Sequence, residues 1–199
     1  MVYPNCPLIE RSKWDKLIDR ITPGPASIHK PKTRQQGVVR ECMPCTVAAG
    51  IDYATSVSGI EDIKPWDEKI LFESVQQSDG GSYMGNCIEA VSSVIEVVYC
   101  PTFDHQMSAV LFGFGLLSMM QLYPNFMKPT PWLPAPIGIP DSHGMFGFKP
   151  IRRGTQYGIW HLQSYGPSFA SEFLNCMVLS EQNLAGGGGS FAITRYKLS

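Results

Sequence analysis

Apolar and polar positions follow two different periods along this chain, and the change between them falls near residue 110. Before it the spacing is helical. Val47, Ile51 and Ala54 recur three and four apart and predict a helix, buried along one side, that starts at Cys42. Cys87, Ala90, Val91, Val94 and Val98, with Glu89, Ser92, Ser93 and Glu96 between them, predict an amphipathic helix over residues 83–98. Ile9, Trp14, Leu17 and Ile18 line one side of a shorter helix, with Ser12 as its cap and Pro23 and Pro25 beyond its end. Residues 66–74 read as a further helical piece and 105–110 as one or two turns, while 56–65 read as loop. After residue 110 the helical period is lost: 111–123 carry Gly113 and Gly115, which count against a helix interior, and read as a buried strand. Residues 124–140 hold six prolines and form a long extended loop, after which strands are expected from 141 to 148, from about 156, and near 190–195.

The two periods give an α+β chain. Its 199 residues, 44% hydrophobic, suffice for one globular unit or two packed halves. The expected organisation is a single domain, with an N-terminal arm over 1–35, a mainly helical half over 36–110 and a mainly β half over 111–199. Sixteen basic and seventeen acidic residues leave a net charge of −1, so no electrostatic case exists for binding nucleic acid or an anionic membrane. Six cysteines are too sparse for a disulfide scaffold and suit a reducing compartment. The first residues have neither a basic start nor an apolar run, so a signal peptide is not expected, and the apolar run 109–120 is too short and too interrupted to span a bilayer.

The densest chemistry lies in Gln36-Gly37-Val38-Val39-Arg40-Glu41-Cys42-Met43-Pro44-Cys45, which leads into the first long helix. A thiol at a helix start meets unpaired backbone N–H groups and the positive end of the helix dipole, both of which favour thiolate. Pro44 suits a first turn because its missing donor is not needed there. Cys42 and Cys45 have three further readings: two core residues one turn apart, a redox dithiol, or half of a zinc site. The zinc reading lacks its other half, since Cys6, Cys87, Cys100 and Cys176 are scattered singly. The redox reading lacks a strand before Cys42, because residues 22–36 are rich in Pro, Lys, Gln and Thr. Among the four histidines, His143 stands between the proline-rich loop and a strand, a stable platform for a base.

These stretches resemble the papain-like cysteine peptidases, especially their bacterial and viral members. Gln36 lies six residues before Cys42, as that family's oxyanion glutamine lies before its nucleophile; Cys45 is the fallback nucleophile, because Cys42-Met43-Pro44-Cys45 also overlays a Cys-Gly-Ser-Cys opening. Asp79-Gly80-Gly81 resembles the turn where the family's backbone pairs with substrate. His143 through Gly147-Phe148 resembles the strand that carries the catalytic histidine. Gln163-Ser164-Tyr165-Gly166-Pro167-Ser168-Phe169 is similar to the family's Asn-Ser-Trp-Gly-Pro-Ser-Trp, with glutamine in place of the histidine-orienting asparagine and tyrosine in place of the first tryptophan.

The resemblance implies a two-lobed α+β fold, a helical lobe against an antiparallel, barrel-like β lobe. It implies a Cys42–His143–Gln163 triad with Gln36 as oxyanion donor, substrate contacts at Gly80, Gly81 and Tyr165, and no metal or cofactor. The activity implied is that of a cysteine peptidase or related amide or ester hydrolase acting on a peptide or protein, in the cytoplasm or a virion. Two readings stay open beside it: an inactive papain-like fold serving as a structural or binding subunit of an assembly such as a viral particle, and a Cys42/Cys45 thiol oxidoreductase.

Overall fold

A computed structural model describes residues 1–26, 29–59, 64–76, 83–127, 131–185 and 189–199. The predicted long helix is present as α2, Cys42–Ser58, and runs past Ala54, the last of the spaced apolar positions, to Ser58. Twelve of its seventeen residues are buried, so it is covered on more than one side. Around it stand α3 (Lys69–Gln76) and α4 (Tyr83–Ala90). Near the N-terminus a 3₁₀ turn at Arg11–Lys13 runs into α1, Trp14–Ile18, so Ser12 lies inside a turn and caps nothing.

The helix predicted over residues 83–98 is half wrong. It ends at Ala90, and Ile95–Cys100 form strand β1. Val94, Ile95, Val97 and Val98 are β-branched and stiff, and pairing with another strand satisfies their backbone better than continued helix. The mainly helical half therefore contains one strand of the sheet. After β1 come α5 (Phe103–Leu111), β2 (Gly115–Leu122), β3 (Asp141–Arg153), β4 (Gln156–Leu162), β5 (Cys176–Ser180), α6 (Glu181–Leu184) and β6 (Ser190–Tyr196). Thr102 caps α5 by accepting the His105 N–H.

The strands form one antiparallel sheet in the order β1-β6-β2-β3-β4-β5. It is open: β1 and β5 are its ends, so the barrel-like lobe is a curved sheet without closure. Alternate residues of each strand feed two cores. Leu117, Phe146, Trp160 and Ile193 face α2, α3 and α4, whereas Leu116, Met145, Ile159 and Ala192 pack with α5 and Trp14 on the other side. The α+β reading thus holds, with the helical lobe seated on one face of the sheet.

The proline-rich segment is pinned beside β5. Leu133 N–H donates to Val178 O at 3.0 Å, and Val178 N–H donates to Pro131 O. Trp132 covers Gly158, where an added Cβ would lie 2.5 Å from Val178 Cγ1 and 3.1 Å from Leu179 O. We expect Gly158→Ala to cost about 1–3 kcal/mol in urea unfolding, because the methyl group has no space without moving backbone. An unchanged midpoint would show that Trp132 is not seated there.

Candidate active site

The candidate residues converge where the start of α2 meets the start of β3. A 3₁₀ turn, Val39–Glu41, precedes α2, and the Cys42 N–H donates to Val39 O across it. The Glu41 carboxylate reaches back to accept the Gly37 and Val38 N–H groups, which closes the loop into the helix. Cys42 is only 2% exposed. Its Sγ accepts the Gly144 N–H at 3.4 Å, so the thiol is held by the residue that follows His143.

Gly144 makes this approach possible. A Cβ there would lie 2.6 Å from Met43 Sδ and 3.1 Å from Thr46 Oγ1, so hydrogen alone separates strand from helix. Thr46 in turn donates its hydroxyl to Cys42 O at 2.7 Å.

His143 is buried, and its ring stacks on Tyr165 with centroids 4.8 Å apart and an interplanar angle of 7°. Nε2 has no hydrogen-bond partner among the described residues. No hydrogen bond joins His143 to Cys42, and none joins it to Gln163. Gln163 instead uses its amide locally. Nε2 donates to Gly166 O at 3.3 Å and to Phe169 O at 3.2 Å, and Oε1 accepts the Tyr165 N–H. The longer side chain curls back on its own loop, and in doing so it fixes the backbone that carries Tyr165.

Gln36 is tied to that same loop. Its N–H donates to Ser164 O at 2.8 Å, and its Oε1 accepts the Ser164 hydroxyl at 2.6 Å. With the oxygen so held, the NH₂ end is turned the other way, 3.5 Å from Val38 O. Ser164 is absent from the sequence-based list of candidates. It belongs to the quoted motif, but its part depends on the Gln35–Tyr165 bridge between distant segments, which no local pattern announces. Cys45 is buried one turn further on, facing a small space shared with Arg34, Gln163 and Ser164. Gly80 and Gly81 lie outside the described residues.

The electrostatics differ from the expectation of a resting thiolate. Burial raises the Cys42 thiol above its ordinary value, although the N–H groups of Gly144, Met43 and Cys42 oppose the shift. Cys45 is pushed up to about 12 by burial. Burial also lowers His143 to about 4. Desolvation therefore outweighs the helix start, and thiol and imidazole are both neutral at rest. Beside them a groove of about 510 Å³ is lined by Val38, Val39, Cys42, Met43, Tyr83 and Asp141 among others. Val38 and Val39, 50% and 70% exposed, form an apolar lip. Among the described residues no three His, Cys, Asp or Glu side chains group as metal ligands.

The fold is that of the papain-like cysteine proteases. Comparison with solved structures finds it in xylellain, a cysteine protease from Xylella fastidiosa, at 10% identity and a TM-score of 0.69 over 98% of this chain and 92% of that one. A procathepsin B from Trypanosoma congolense matches at 9% identity and 0.65, over 98% and 83%. The cysteine protease and lectin-like domains of Cwp84 from Clostridium difficile match at 10% and 0.65, over 100% of this chain and 54% of that chain. No protein-family model and no curated sequence matches.

Two buried imidazoles make stability depend on pH. His161, fully buried, bonds Ser118 Oγ through Nε2 at 2.6 Å and Ile159 O through Nδ1 at 2.9 Å; like His143 it is lowered to about 4 by burial. The unfolded chain, with histidines near about 6.5, takes up protons first as pH falls. Their contribution is complete above about pH 6.5 and is lost as pH drops toward about 4. The urea midpoint should therefore fall between pH 7.5 and 5.0, and a flat profile would contradict neutral, buried imidazoles.

Proposed function

We propose that the chain is a cysteine peptidase or related amide or ester hydrolase, with Cys42 as nucleophile and His143 as its base. The observation that carries this reading is the His143 Nε2, buried without a partner, one residue from the Gly144 N–H that holds the Cys42 sulfur. A buried polar nitrogen is rarely left unpaired unless a partner arrives during function. The nearest chemistry that can use it is the thiol proton.

In the proposed cycle His143 takes the proton from Cys42, and the sulfur attacks the carbonyl carbon of the substrate. The negative oxygen is met by the Gln36 Nε2 and the Cys42 N–H, the first aimed by Ser164 and the second drawn away from Val39 O. The tetrahedral carbon expels the amine or alcohol, which takes the proton from His143. Water then attacks the thioester, releasing the acid and restoring the thiol. The proposed substrate is a peptide whose chain lies in the groove beside Val38 and Val39.

Tyr165 takes over the positioning expected of Gln163. Its ring fixes the plane of the imidazole by stacking, and Gln163 fixes Tyr165 through the backbone. An aromatic face restrains tilt without neutralising either ring nitrogen, which leaves Nε2 available.

A second reading, a papain-like scaffold without catalysis, is favoured by the missing Cys42–His143 hydrogen bond and the raised thiol. Resting contacts in such sites often tighten only with substrate, so acylation is the deciding measurement. An activated ester such as p-nitrophenyl acetate should acylate Cys42, giving a thioester-linked peptide on mass mapping. His143→Ala should slow acylation by about 100-fold or more, while leaving the chain folded. Acylation of Cys42 no faster than of Cys45, or equal rates with and without His143, would establish the scaffold.

The stacking role separates Tyr165→Phe from Tyr165→Ala. The phenylalanine variant keeps the ring and removes only a buried hydroxyl that lacks a partner, so its rate should stay within a few-fold of the parent. The alanine variant should lose about 10- to 100-fold in kcat, because a freely rotating imidazole is seldom aligned. Equal rates in the two variants would remove Tyr165 from the positioning of His143.

A further inference from the structure

The N-terminal arm joins the sheet through a short parallel contact. Asn5 bridges Tyr99, the Cys6 N–H donates to Tyr99 O at 2.7 Å, and the Tyr99 N–H donates to Pro4 O at 2.7 Å. Because the bridge is parallel, the residues that follow its two members also lie side by side: Cys6 and Cys100. Both are buried, at 2% and 0% exposure, in the core that contains Trp14 and α5. Both side chains enter that one core, where the Cys6 thiol donates to Pro7 O at 3.5 Å. Neighbouring residues on paired strands stand about 5 Å apart, within the Cα separation of about 4.4–6.8 Å that a disulfide spans.

We propose that Cys6 and Cys100 form a cross-linking site, closed to a disulfide by exchange with a small-molecule disulfide and reopened by thiols. The Cys6 thiolate attacks one sulfur of the small disulfide, RSSR, forming a mixed disulfide and releasing RS⁻. Cys100, losing its proton, attacks the Cys6 sulfur, and the second RS⁻ leaves. Two protein thiols lose two electrons in all, and RSSR becomes two RSH.

Cys6 is the attacking thiol on chemical grounds as well. The neighbouring Cys100 thiol lowers the Cys6 pKa, whereas Cys6 and burial raise Cys100. Access comes by fraying: Met1 and Val2 are 80% and 98% exposed, and the end of the arm is held on the sheet by the short pairing of residues 4–6 and the edge-on contact of Tyr3 with Phe191. The other described cysteines lack this arrangement. Cys87 bonds Ser74 and Leu71 O, Cys176 bonds Leu174 O, and Cys42 is held by Gly144. The bridge would anchor the arm, whose Arg11 also pairs with Asp104 and Glu181 and whose Trp14 is fully buried. It would close a loop of about ninety residues, long enough to restrict the unfolded chain strongly.

The test incubates the 199-residue chain with oxidised glutathione at about pH 8, then alkylates it under denaturing conditions and maps the peptides. The expected result is a linked peptide joining Cys6 to Cys100 in several-fold excess over any other pair, with a Tm raised by about 5–15 °C and restored by dithiothreitol. Cys6→Ser should abolish both the linkage and the Tm rise. Should a serine variant fail to fold, the oxidised and reduced parent chains decide the matter between them. Recovery of Cys6 and Cys100 as separately alkylated or separately glutathionylated residues would overturn the proposal, and so would a Cys42–Cys45 bridge in equal yield. Acylation of Cys42 is a different reaction at a different residue, so neither result bears on the other.

Discussion

Everything at the candidate site depends on how closely α2 is seated on the sheet. Two glycines, one on each partner, permit that distance. Gly144 on β3 leaves room for Met43 and Thr46, and Gly50 on α2 leaves room for Ile193 Cδ1 and Leu117 Cδ2, which would stand 2.7 and 2.8 Å from an added Cβ. At a rise of about 1.5 Å per residue these contacts lie about 10 Å apart along the helix, enough to fix its direction as well as its height. Tilting the helix would drive one end into the sheet and open a gap at the other, and close-packed interiors resist both. The position of the Cys42 sulfur is thus determined by packing, with the Gly144 N–H as a final adjustment.

That same packing sets the electrostatic problem the site has to solve. At rest burial holds the His143 imidazole at about 4 and raises the Cys42 thiol above its ordinary value, so moving the proton from sulfur to nitrogen is uphill in this site. An ion pair in contact at about 4 Å recovers about 4 kcal/mol at an effective dielectric constant of about 20. A resting neutral pair is therefore the consistent state of a dry site. This differs from the permanent thiolate that a helix start alone suggests, because the N–H groups of Gly144, Met43 and Cys42 do not outweigh the burial of the sulfur.

The residues of the candidate site were legible in the sequence where their placement depends on local spacing. Gln36 and Cys42 flank one loop, and Cys42 does begin the buried helix. The start of β3 at Asp141, two residues before His143, follows from the change in composition after the prolines. What could not be read were contacts created by the sheet itself. Ser164 reaches Gln36 only because residues 35 and 165 bridge, and Gln163 turns back on its own loop because its extra methylene reaches Gly166 and Phe169. The strand at 95–100 was misread for a related reason. Val94 and Val98 fit helical spacing by sequence, but their β-branched run was claimed by β6, almost a hundred residues away. Strand β5 and α6, inside the stretch between Phe169 and the glycines, gave no periodic signal long enough to register.

An open sheet also has to protect its two ends, and here the segments that looked least structured carry out that task. An unpaired strand edge is a template for association, and a closed barrel would have none. At β1 the arm through residues 4–6 pairs briefly alongside Tyr99, and at β5 the proline-rich loop pairs briefly alongside Val178 through Trp132. Both contacts are parallel and short, and each is stopped by proline, which cannot donate to extend a ladder: Pro4 and Pro7 on one side, Pro131 and Pro134 on the other. The prolines therefore let a segment cover an edge without becoming a new edge strand. The loop that seals β5 then runs directly into β3 and so delivers His143 to the start of its strand. Edge protection and placement of His143 are accomplished by one stretch of chain, which accounts for a long loop inside so small a fold.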